Sequence, residues 1–197
     1  YYYADILVDL GVVRKELFNF EKALGVFSSV FQDFAPVELL DTEGEILLSN
    51  VQGIAKLETD YRDSIRPLAL SCLYTADIYL MQRNYSLAKN YYRKAKTLFK
   101  MILWREDRKL RELNKAEFES FRKKYILLTK WGYLKSDILE LTFSTFEGYR
   151  RVLGRGLEPG QEFDPADTLE RIDNVMLQAK EQEDSYSELL EALEELY

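Results

Sequence analysis

The chain of 197 residues is 47% hydrophobic and 31% charged, with a formal net charge of −7. Such a balance excludes a chain too polar to build a core; the length fits one large domain or two small ones, and a single domain of that size can bury roughly 70% of its unfolded surface. There is no histidine and a single cysteine, Cys72, which excludes imidazole-dependent catalytic sets, Cys/His zinc sites and an intramolecular disulfide. No uncharged apolar run approaches the ~20 residues of a membrane span.

The chain opens Tyr1-Tyr2-Tyr3-Ala4 with no initiator Met and no visible leader. A removed leader and a fragment of a longer protein both fit, and the compartment stays open between cytoplasm and bacterial periplasm. Ile6, Leu7, Leu10, Val13 and Leu17 then fall at steps of three and four, which predicts a helix with that face inward. After a break at Phe18-Asn19, Phe20, Ala23, Leu24, Phe27, Val30, Phe31 and Phe34 predict a second helix, limited by Pro36. Residues 36–44 read as a loop ending at Gly44. Ile46, Leu47, Val51, Ile54, Ala55 and Leu57 predict a helix to about Ser64, and Pro67 starts another that carries Leu70 through Met81. Asn84 marks a turn, and residues 86–113 read as one long helix. Asn114 is placed to cap the next, over 116–153, with a bend expected near Gly132. Residues 154–164 form a loop, and Asp164-Pro165 opens an acidic helical segment reaching Tyr197. The fold class expected is all-α, with the helical domain over 1–153 and residues 165–197 packing on it or capping it.

Two windows share one spacing. Gly11 is followed by Phe20 at +9, Ala23 at +12, Phe27 at +16 and Val30 at +19; Ala76 is followed by Tyr85, Ala88, Tyr92 and Ala95 at the same offsets. Small residues at Gly11, Ala23, Ala76 and Ala88 let paired helices approach closely, and the aromatics fill the turn and the gap to the neighbouring pair. The pattern resembles the tetratricopeptide repeat, through Leu7-x-x-Leu10-Gly11 and Ala23-x-x-x-Phe27, then Ala76-x-x-Tyr79 and Ala88-x-x-x-Tyr92. Leu7 and Cys72 stand where that family has tryptophan, and residues 37–66 hold a divergent pair or an insert. The resemblance implies stacked antiparallel helix pairs in an α-solenoid, with a long helical hairpin and a C-terminal capping helix.

It also implies a concave groove lined by the first helix of each pair. Mapped here, the groove residues are Asp5, Val8, Val12 and Glu16, then Leu70, Leu73, Asp77 and Met81. Their apolar members suit a peptide or helix, and Asp5 and Asp77 suit basic or donor groups. The competing reading is a groove filled by residues 37–66 or by the C-terminal helix. The basic clamp with which some members hold a terminal carboxylate is unmatched, because Val8 and Val12 occupy its first positions. Cys72, between Leu70 and Leu73, reads as a core thiol. No catalytic, cofactor or metal site is expected.

Charge is unevenly spread. Residues 89–130 carry 14 Lys/Arg against 5 Asp/Glu, and residues 157–197 carry 2 against 13. Lys94, Lys96, Lys100, Arg105, Arg108, Lys109, Arg111, Arg122, Lys123 and Lys124 are interleaved with Tyr91, Tyr92, Trp104 and Tyr125. That mixture can mean nucleic acid, but the acidic end of the same chain, or an acidic partner, is the better match. The expected function is a protein–protein interaction scaffold of a larger assembly. The alternatives are a structural subunit that joins copies of itself without a groove ligand, and a helical nucleic-acid binder using 89–130.

Overall fold

The computed structural model describes residues 2–154 apart from Arg105 and Arg108, with the side chains of Tyr2, Thr142 and 145–154 also outside the described part. The loop expected after Gly154 and the acidic segment 165–197 lie outside the described residues. What is described is all-helical: α1 (Tyr2–Glu16), α2 (Phe20–Phe34), α3 (Val51–Thr59), α4 (Ile65–Met81), α5 (Tyr85–Met101) and α6 (Lys115–Gly154), with short 3-10 turns between them. Among these residues the only β contact is an isolated bridge between Leu40 and Ile46. None of the described helices is long and apolar enough to cross a membrane.

The helices pack as pairs. α1 lies on α2 and α4 on α5; α4 also packs on both α1 and α2, and α6 runs along α5 and touches α4. The two hairpins have the same turn. Phe18 and Arg83 sit 65 residues apart, both in the left-handed region at φ 55° and 62°. Asn19 N–H donates to Arg14 O at 2.9 Å and Asn84 N–H to Tyr79 O at 2.8 Å, again 65 apart. This single left-handed residue reverses the chain after one helix and starts the next within two residues.

Small residues set how closely the helices approach. Gly11 is buried, as are Ala23, Ala76, Ala88 and Ala95, each with no exposed surface. A side-chain carbon on Gly11 would collide with the Phe27 ring, and one on Gly132 with the Tyr92 ring. Gly132 is therefore a close-packing point of α6 on α5, and no break in the helix occurs there. Phe27 and Tyr92 are enclosed, whereas Phe20 and Tyr85 are only partly covered beside their turns.

Besides the bend at Gly132, three sequence expectations change. The inward face of α1 is Ala4, Val8 and Gly11, while Ile6, Leu10, Val13 and Leu17 point outward. The small side chains that permit close helix contact decide the orientation, ahead of the larger apolar set. The helix expected from Ile46 begins only at Val51, because the Asn50 side chain accepts from the Gln52 and Gly53 N–H groups and caps it there. Leu39, Ile46 and Leu57 anchor this insert with no exposed surface. The long helix expected over 86–113 stops at Met101, where Ile102 turns extended at ψ 124° and buries its side chain. Trp104 Nε1 then donates to Leu113 O at 3.0 Å and closes the connection to α6.

That connection carries a buried charge. The Asp107 side chain, 2% exposed, accepts from Arg66 Nε at 3.2 Å and from the Lys109 and Leu110 N–H groups. Arg66 also donates to Asp5 of α1 at 2.6 Å. One guanidinium thus ties α1 and α4 to the link before α6, with several of its donors satisfied, as a buried ion requires.

Candidate partner-binding groove

α1, α4 and the first half of α6 enclose a concave face. A cavity of about 470 Å³ opens there, with Val8, Val12, Leu70, Leu113, Phe121 and Tyr125 among its walls and Asp5, Asp9, Arg66 and Lys109 at its polar margin. A second, of about 240 Å³, follows along α4 and α6, bounded by Leu73, Asp77, Leu80, Leu128, Trp131 and Lys135. Tyr74 and Tyr125 belong to the walls of both and divide them. The floor is mostly apolar because α4 is rich in apolar residues, and from Ile65 to Ile78 nearly every residue is buried.

Of the eight groove residues expected from the sequence, Asp5, Val8, Val12 and Leu70 line the larger cavity, and Leu73 and Asp77 the smaller. Glu16 lies at the end of α1, largely exposed and 3.1 Å from Lys15. Met81 is 45% exposed at the end of α4. Asp5 is engaged by Arg66, so the solvent-facing carboxylate of this face is Asp9. Leu73 is 4% exposed and supports the fold from beneath the groove.

Asp77 occupies the junction of the pairs. It accepts from the Tyr92 hydroxyl at 2.7 Å and lies 3.7 Å from Lys15. Burial nevertheless outweighs these partners and pushes its carboxyl above the ordinary range. Burial also pushes the Tyr74 hydroxyl up to about 12, helped by the nearby Tyr125 and by the charges of Asp77 and Asp9.

The third wall, from Lys109 to Lys135, was missed by the sequence reading. Its signal was Gly132, a small residue in an aromatic helix, in the role that Gly11 and Ala76 have in the earlier pairs. Arg66 carried a signal too, as the one charge in the run Ile65-Arg66-Pro67-Leu68-Ala69-Leu70. Of residues 37–66 only Arg66, already within α4, lines either cavity, so the insert before it does not fill the groove.

The basic stretch divides by environment. Tyr91 and Tyr92 are buried, Tyr125 stacks on Phe99 at 4.9 Å, and the Trp104 indole is turned to Leu113 O. These aromatics belong to the packing of α4–α6, with Lys94 over the Tyr91 ring at 4.4 Å, and Tyr125 also forms part of the groove wall. Lys96 lines a cavity of about 330 Å³ with Arg93, Lys130 and Tyr133. Partial burial and the charges of Lys100 and Lys130 hold its ammonium below the ordinary lysine range. Lys89 is paired with Asp137 at 2.7 Å and Glu140 at 2.6 Å. Among the described residues no group of three His, Cys, Asp or Glu side chains is placed to hold a metal. Comparison with protein-family models, with curated proteins and with solved structures finds no match to this chain.

Proposed function

We propose that the chain is a protein–protein interaction scaffold whose α1/α4/α6 face holds an extended or helical segment of a partner, and that its two hairpins are tetratricopeptide-like units of a short α-solenoid. The observation that carries the reading is the apolar-floored cavity of about 470 Å³ on the face shared by the first helices of the pairs. Its size and its mixture of aliphatic and aromatic walls with a few polar groups suit side-chain anchors of a peptide. The identical turns, 65 residues apart, support the solenoid reading.

The test is a random-peptide library panned on the full chain, followed by anisotropy titration of the selected peptides against variants. Val12→Arg, which crowds the cavity from a partly exposed position, and Phe121→Ala are each expected to weaken binding by about tenfold, or ~1.4 kcal/mol. Their far-UV circular dichroism is expected to be unchanged. Failure to enrich any peptide, or equal binding to Val12→Arg, would remove the groove assignment.

A further inference from the structure

α1 has two apolar faces and the fold uses one. Opposite the packed side, Tyr3, Ile6, Leu10 and Val13 form a continuous row that Leu17, in the turn just past the helix, extends, with Ile6 61%, Val13 55% and Leu17 73% exposed. Within the described residues the row's one ring contact is Tyr3 tilted against Phe34, with centroids 6.2 Å apart. Folded monomers seldom leave so many large apolar side chains together in water.

The spacing of the row specifies its occupant. The steps are three, four, three and four, which is the a/d seam of a two-stranded coiled coil. With Tyr3, Leu10 and Leu17 at a and Ile6 and Val13 at d, Asp9 falls at g and Arg14 at e. In a parallel pair, g of one helix meets e of the next heptad in the other, so Asp9 meets Arg14 twice by symmetry. An antiparallel pair would instead set Asp9 against Asp9 or Glu16 of the other copy. Asp9 is exposed and has no hydrogen bond or ion pair to any described residue; Arg14 makes one 3.4 Å contact, to Lys22 O.

We propose that the chain self-associates as a parallel homodimer through the outer face of α1, with Asp9 and Arg14 fixing the register. The apolar row lies on a different side of α1 from the groove, and Asp9 stands on the boundary between them, beside the row and at the groove's margin.

Sedimentation velocity on the full chain between about 1 and 100 µM tests this. The expected species is twice the 23.2 kDa chain mass. Leu10→Asp with Val13→Asp, and separately Ile6→Lys with Leu17→Lys, should give monomers of unchanged helicity, since these side chains are exposed in the single copy. Asp9→Arg and Arg14→Asp should each weaken the dimer about tenfold, and the two together should restore it. A wild-type chain that stays monomeric over the range, as it would if an unrelated protein covered the seam, overturns the proposal. So does an assembly of another size, a dimer that survives the apolar-to-charged variants, or a double swap no better than the single ones.

Discussion

Cys72 sits in α4 with no exposed surface, and burial pushes its thiol up to about 12. Both facts oppose formation of a thiolate at an accessible site. The native chain is therefore expected to release no chromophore from a disulfide reagent at neutral pH, and one equivalent in denaturant. A fast native reaction would contradict the packing of α4. Asp77 gives a second residue-level prediction. Because burial raises its pKa above the ordinary 3.8, the native state holds the proton more tightly than the unfolded chain. Its contribution to stability is thus most favourable below that unfolded value and falls as pH rises through the raised native value. Asp77→Asn keeps an acceptor for the Tyr92 hydroxyl and is expected to raise the melting temperature at about pH 7, with the gain shrinking toward about pH 4. A gain of constant size across that range would contradict the burial account.

The hairpins are the elements most plainly written in the sequence. Asn19 and Asn84 open α2 and α5 at equivalent positions, and the small residues at Gly11, Ala23, Ala76 and Ala88 all lie where helices touch. Less legible were the left-handed residues, because neither Phe18 nor Arg83 is of a type that favours that region. Each holds a conformation that costs a side-chain-bearing residue roughly 1 kcal/mol. Arg83 is exposed, so Arg83→Gly is expected to stabilise the chain by up to about 1 kcal/mol in urea unfolding, less the entropy that glycine adds to the unfolded state. Destabilisation would mean that the turn depends on the arginine side chain. The ends of α3 and α5 escaped the periodic reading for another reason. Ile46 and Ile102 continue a helical pattern of apolar residues, yet both are buried from non-helical backbone, which periodicity alone does not distinguish.

At the scale of the whole molecule, Arg66 joins parts far apart in sequence, since Asp5 is 61 residues before it and Asp107 is 41 after. Removing one partner of a buried ion pair leaves the other uncompensated and typically costs about 3–5 kcal/mol. Asp107→Ala is therefore expected to lower unfolding stability by about 3 kcal/mol, Asp5 still holding part of the charge. It should also loosen the connection before α6, seen as faster hydrogen exchange over residues 102–114. A loss below about 1 kcal/mol would show that water replaces the pair.

From composition and spacing came an all-helical chain, paired helices and their close-contact residues. These follow from short-range rules: period, capping and the size of side chains at fixed offsets. What only the tertiary structure decided was which side of α1 turns inward, where α5 ends, and that α6 supplies the third wall. Each of these choices is settled by contacts between separate helices or links: Gly11 against Phe27, 16 residues on, Asp107 against Arg66, 41 apart, and Gly132 against Tyr92, 40 apart. In such contacts the fit of two surfaces outweighs the apolar count of either.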